Sequence, residues 1–118
     1  MIIKSYDLDT PSVYVFHCND VDIEKFKEVL WGIEEEGIPY KVKSTSMDTS
    51  NNLSHKAALK SKLGIGVGIS KDEIALTTNK LDKDKPLIRI ELNQDYDRLR
   101  NLGSNGARLV KGIELKDI

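Results

Sequence analysis

The apolar residues change period several times along the chain, and each change marks an element. Val13–Phe16 is an unbroken β-rich run closed by His17-Cys18-Asn19-Asp20, which predicts a buried strand and a turn. From Ile23 the apolar positions are Ile23, Phe26, Val29, Leu30 and Ile33, the stripe of a helix that Asp20 or Asp22 can cap. Gly37 supplies a left-handed stop, and Pro39 forbids continuation. Tyr40–Lys43 predicts a second strand, and the polar stretch Ser44–Asn52 a loop. Ser54 is the expected cap of a short, weakly amphipathic helix reaching about Lys62. Gly64–Ile69 and Glu73–Thr78 alternate as strands, joined by the short Ser70-Lys71-Asp72 turn as an antiparallel hairpin. A charged loop ending at Pro86 leads to a fifth strand over Leu87–Leu92. Leu99, Leu102, Gly106 and Leu109 then fall at helical spacing, ending near Gly112. Strand, helix, strand, helix, hairpin, strand, helix is an α/β order. Right-handed crossovers then predict a three-layer α/β/α domain on a five-stranded, mostly parallel sheet with one antiparallel strand.

Length and charge narrow the function. The 118 residues suit one domain, drawn over 13–118, with an N-terminal extension over 1–12 that Pro11 closes. Eighteen basic residues face nineteen acidic ones, and aromatics make up 6%. Neither the basic excess of a nucleic-acid binder nor the platforms for stacking bases are present. No apolar run reaches the roughly 20 residues of a membrane span. The start turns acidic too soon for a signal peptide. The single cysteine, Cys18, excludes an internal disulfide framework and a cysteine-rich zinc site. The chain reads as cytoplasmic.

Three places break local rules. Glu34-Glu35-Glu36 sits in the last turn of a helix, where the dipole is negative and each acid costs about 0.3–1 kcal/mol. Such an acid is either a solvated helix end or reaches a cation or a basic partner; alone it makes no tight magnesium site. Gly64, Gly66 and Gly68 leave one face of a strand bare, which calls for close approach by a helix or a ligand. The spacing is not a dinucleotide fingerprint, and helix packing is the favoured reading. Gly103 and Gly106 imply a break in the last helix or a surface approached closely, with Asn105 and Arg108 on one face beside them. His17 and Cys18 are neighbours on a strand and point to opposite faces, so they form no catalytic dyad. No self-sufficient active site emerges, and no catalytic residue is assigned.

Two segments carry a family resemblance. Leu30-Trp31-Gly32-Ile33-Glu34-Glu35-Glu36-Gly37-Ile38-Pro39-Tyr40 and Asn105-Gly106-Ala107-Arg108-Leu109-Val110-Lys111-Gly112-Ile113 resemble the two signatures of the small subunit of diol and glycerol dehydratase reactivases. The similarity runs from about Val13 to Asp117. Gly106 stands where that family usually has alanine, and Glu114 where proline is common. The resemblance implies a three-layer α/β fold with a five-stranded mixed sheet. It also implies a non-catalytic, chaperone-like accessory role beside a large subunit that hydrolyses ATP. By that resemblance the chain replaces the medium subunit of an adenosylcobalamin-dependent dehydratase against the dehydratase large subunit. This subunit swapping lets damaged cobalamin leave. Glu35 would then reach a Mg2+ ion held mainly by the large subunit, with no cofactor bound tightly by this chain alone. Trp31, Glu34, Glu36, Asn105 and Arg108 are expected at the partner surface. Association with a bacterial microcompartment is left open. Two alternatives stand beside this reading. One is a medium-type dehydratase subunit whose Gly66 and Gly68 line the cobalamin pocket; the other is a stand-alone small-molecule binding module.

Overall fold

Two strand–helix pairs, three successive strands and a last helix make up the computed structural model, which describes residues 10–93 and 95–118. The order is β1 (Val13–Cys18), α1 (Lys27–Glu35), β2 (Tyr40–Thr45), α2 (Ser50–Lys60), β3 (Ile65–Ile69), β4 (Glu73–Thr78), β5 (Ile88–Glu91) and α3 (Tyr96–Lys111). The sheet order is β2-β1-β3-β4-β5. β1 runs parallel to β2 and β3; β4 is antiparallel to both β3 and β5, so it alone runs against the rest. The expected three-layer α/β domain is the observed one. Most of the extension drawn over 1–12 lies outside the described residues. Ser12 is already buried, and its carbonyl accepts a hydrogen bond from the Ser61 hydroxyl.

The two sheet faces are built differently. Val15, Val67, Leu76 and Ile88 form one cross-strand row, beside the row Ile69, Ile74, Ile90. They face α1 and α3, and with Phe26, Val29, Ile33 and Leu102 they make the main core. The opposite face carries Tyr14 and Phe16 on β1 next to Gly66 and Gly68 on β3. Here α2 lies directly on the glycines. A Cβ on Gly66 would fall inside the backbone of Ser54 and Ala58, and one on Gly68 inside that of Ser50 and Ser54. The bare strand face is thus filled by a helix, as the favoured reading expected.

Two helix starts differ from expectation, each for a local reason. The first helix opens as a 3-10 turn, Ile23–Lys25, capped by Asp22, and only becomes α-helical after Phe26, whose φ is −133°. Ile23 stays 46% exposed, outside the stripe. α2 begins at Ser50, not at Ser54, because Thr49 caps it by accepting the Asn52 amide at 3.1 Å. Ser54 is a fully buried mid-helix residue whose hydroxyl donates to the Asn51 carbonyl. The last helix is unbroken at Gly103 and ends on Gly112, where φ is +68°.

Candidate functional site

The residues singled out from the sequence meet along the seam between α1 and α3. Both helices return antiparallel to the strands they follow, so they run in the same direction. Their contacts advance in step: Glu28 with Arg100, Gly32 with Ser104, Glu36 with Arg108. Close approach is set by two glycines. A Cβ on Gly32 would overlap the Arg100 carbonyl, and one on Gly103 the Val29 carbonyl.

That approach places a basic stripe of α3 against the acidic end of α1. Arg100 reaches Glu28 at 2.8 Å and Glu35 at 3.0 Å. Ser104 donates to Glu35 at 3.1 Å. Arg108 and Lys111 meet Glu36 at 3.1 and 2.8 Å. Lys111 also donates to the backbone carbonyl of Glu36, so it neutralises the negative pole of α1 directly. The Lys111 ammonium, followed by the Arg108 guanidinium, holds the Glu36 carboxyl below the usual carboxylate range. The sequence reading offered the triplet only solvent or a cation or basic partner; instead, two of its three members are ion-paired by α3.

The triplet therefore divides. The Glu36 side chain is 11% exposed and locked. The Glu35 side chain is 41% exposed, with Arg100 on one oxygen, and Ser104 and the Lys116 ammonium, at 3.8 Å, on the other. Glu34 is exposed. Trp31 is 43% exposed, with Lys27 and Arg100 at 5.4 and 5.5 Å from its ring. Trp31, Arg100 and Glu35 thus form one continuous outer surface on the α1–α3 seam.

Other candidates fall elsewhere. Asn105, expected at a partner surface, is 1% exposed: its side-chain amide donates to the Lys116 carbonyl at 2.9 Å and accepts the Lys116 amide at 2.7 Å. It clamps the C-terminal tail. Arg108 adds a bond to the Glu114 carbonyl at 2.9 Å, so the tail rather than the sheet edge is its second target. Gly66 and Gly68, the cobalamin-side residues of the alternative reading, are covered by the α2 backbone and offer no ligand surface. His17 bonds the Cys18 carbonyl and packs on Phe26, while Cys18 is buried, so no dyad forms. Among the described residues no cluster of three or more His, Cys, Asp or Glu could hold a metal, and no helix is long and apolar enough to cross a membrane. Among the residues missed from sequence are Arg100, Ser104 and Lys111. Their signal was the i, i+4, i+8, i+11 spacing of Arg100, Ser104, Arg108 and Lys111, which marks one face of α3.

Residues 10–116 match the dehydratase medium subunit family. The chain is 37% identical over 115 residues to the propanediol dehydratase-reactivating factor small subunit of Citrobacter freundii, covering 94% of this chain and 95% of that one. It is 36% identical over 93 residues to the diol dehydratase-reactivating factor small subunit of Klebsiella michiganensis, covering 79% and 74%. Among solved structures, a diol dehydratase-reactivating factor complexed with ADP and Mg2+ superposes with a TM-score of 0.87 at 32% identity, covering 92% of this chain and 99% of that one. A glycerol dehydratase reactivase gives 0.87 at 34% identity, covering 91% and 97%. The α/β domain with its basic-on-acidic helix seam belongs to the dehydratase medium subunit family, among the small subunits of diol and glycerol dehydratase-reactivating factors.

Proposed function

We propose that this chain works as the exchangeable, non-catalytic subunit of an ATP-dependent reactivase. It docks on an ATP-hydrolysing large subunit and trades places with the medium subunit of an adenosylcobalamin-dependent dehydratase, so that damaged cobalamin can leave. The observation that carries the reading is the unequal fate of the acidic triplet. Glu36 is spent on holding α1 to α3, whereas the neighbouring Glu35 is aimed outward from a fixed base. A carboxylate has about four lone-pair sites; Arg100 and Ser104 occupy two of those on Glu35, and the Lys116 ammonium stands 3.8 Å from the oxygen that Ser104 holds. Magnesium is commonly bound through only one or two carboxylates, with waters and phosphates completing its shell. Glu35 therefore fits the part of a single ligand offered to an ion held by a partner. Trp31 and Glu34 flank it on the docking surface. A subunit displaces another only by binding the shared surface comparably well in some state of the partner.

Glu35→Gln tests the metal role. The substitution keeps the Ser104 hydrogen bond and loses two part-exposed ion pairs, to Arg100 and Lys116, so the stability of the free subunit should change by about 1 kcal/mol or less. Affinity for the large subunit in Mg2+ and ADP should fall about tenfold or more. Glu34→Gln should change it less. Unchanged affinity in Glu35→Gln removes the metal role. The purified chain alone is expected not to hydrolyse ATP, and turnover above blank would count against the accessory reading.

The family description also favours a second reading, a medium-type subunit working within a dehydratase. Mixing the chain with a dehydratase large subunit and cobalamin separates the two. Stable retention of the cofactor supports the holoenzyme role, and release supports reactivation.

A further inference from the structure

The sheet has two edges, and they are not equivalent. β5 is a four-residue strand entered soon after Pro86, the short form in which an edge is harmless. β2 spans six residues, and among the described residues nothing pairs with its outer side. Its inner side is fixed by the ladder to β1. The Val13 amide donates to the Pro39 carbonyl at 3.0 Å and the Asn19 amide to the Thr45 carbonyl at 2.8 Å. In a parallel ladder the bonding alternates strictly, so residues 39, 41, 43 and 45 turn their polar groups to β1. The amides and carbonyls of Tyr40, Val42 and Ser44 point outward.

The side chains along this edge are sorted by face. Lys41 and Lys43 lie on the α2 side, with their ammonium groups 5.8 Å from the rings of Tyr14 and Phe16. Beyond them a groove of about 380 Å³ runs between β2 and α2, with Phe16, Leu53 and Leu59 as apolar lining and Lys43, Lys56 and Lys60 on its walls. Its one carboxylate, Asp48, is already bonded to Lys56, Asn52 and the Thr49 amide. The other face of the edge is apolar: Tyr40 and Val42 are half-buried against the main core.

We propose that β2 is a docking edge that accepts one added strand from another polypeptide, with acidic side chains alternating with apolar ones. Acidic residues would lie opposite Lys41 and Lys43 and face the lysine-walled groove; apolar ones would extend the Tyr40–Val42 face. Main-chain bonds to Tyr40, Val42 and Ser44 supply affinity, and the alternation supplies choice. The lysines also decide against a second copy of this chain. Antiparallel pairing of two β2 strands centred on Val42 sets Lys41 of each against Lys43 of the other, and like charges directly opposite are destabilising. This edge involves none of the residues assigned to the Glu35 surface, so the two proposals fail separately.

The test uses the full chain with a short blocked peptide alternating Glu and Val, and amide hydrogen exchange as readout. Slowed exchange at Tyr40, Val42 and Ser44 on adding the peptide, weakened by salt and at least about tenfold weaker in Lys41→Glu/Lys43→Glu, is the expected result. A control peptide alternating Lys and Val should leave these amides unprotected. Equal protection by both peptides, protection confined to β5, or binding by the wild-type chain that ignores salt would overturn the proposal. Protection in the free chain would overturn it too, either as a monomer, with residues 1–9 on the edge, or as a concentration-dependent dimer. A thermal melt of the double variant confirms that its sheet is intact; should it not fold, the salt and control-peptide arms still decide.

Discussion

Replacing Gly103 by alanine is expected to destabilise the chain by about 2–4 kcal/mol, while the same change at Gly106, three residues further along α3, should stabilise it by about 1 kcal/mol. Helix propensity alone gives both sites the same sign, since alanine is favoured over glycine by about 1 kcal/mol within a helix. Packing separates them. A methyl group on Gly103 lands on the Val29 carbonyl, which is helix backbone and cannot rotate away. The only relief is to push α1 from α3, which strains the Glu28–Arg100 and Glu36–Lys111 pairs at the same seam. At Gly106 the added carbon would meet only Leu76 Cδ1 at 3.4 Å and Ile65 Cγ2 at 3.9 Å, which are ordinary contact distances. There the helix gain survives, with some extra apolar burial. Urea unfolding with a check that the m-value is constant reads both effects. In a thermal melt each kcal/mol moves the midpoint by about 4–8 °C in a domain near this size. Stabilisation at both positions would mean that Gly103 does not set the helix spacing. On the proposed docking role of Glu35, Gly103→Ala should also weaken binding of the large subunit, because Glu35 rides on the displaced helix.

The same seam shows what the sequence could and could not reveal. Elements closed by local signals were legible: Gly37 and Gly112 stop their helices with positive φ, and the Ser70-Lys71-Asp72 turn makes the hairpin. The start of α2 was not. Its inward face is Ser50, Ser54, Ala57 and Ala58, small residues that sit on a strand with no side chains, and Leu53 alone beside them is large and apolar, so no hydrophobic period announces it. The polar run Ser50-Asn51-Asn52 reads as loop although Thr49 caps it. The acidic triplet was visible as a local conflict, but its resolution lies 65 to 75 residues away on α3. Period and charge on α3 held that information; pairing them with α1 needed the helices to be known as parallel neighbours. Asn105 looked like a surface polar group in a glycine-rich helix. Its burial depends on a C-terminal tail folding back, and no pattern in the helix predicts that.

Glu36→Gln is expected to cost about 2 kcal/mol at neutral pH, the scale of losing charge-assisted hydrogen bonds at a largely buried site. Glu36 accepts from both Lys111 and Arg108, and its side chain is only 11% exposed, so solvent screens these bonds little. The pH dependence has a definite sign. The folded carboxyl titrates below its ordinary value of 4.5, chiefly because Lys111 donates to it. Its contribution is fully present above that ordinary value and is lost as pH falls through the lower, folded one. The stability gap between wild type and Glu36→Gln should therefore be flat at neutral pH and close in acid, as the wild-type carboxyl takes up its proton. Asp48 is also held below its usual range, mainly by its bonds from Asn52 and Lys56, so the wild-type curve alone would mix two carboxyls. The difference between the two curves isolates Glu36, because Asp48 is common to both. A gap that persists unchanged in acid, or no gap at neutral pH, would show that Glu36 does not lock the helices. The variant keeps Glu35 yet frees the end of α1 on which Glu35 stands. Weaker docking of the large subunit by Glu36→Gln, with Mg2+ and ADP present, would show that this buried acid places its exposed neighbour.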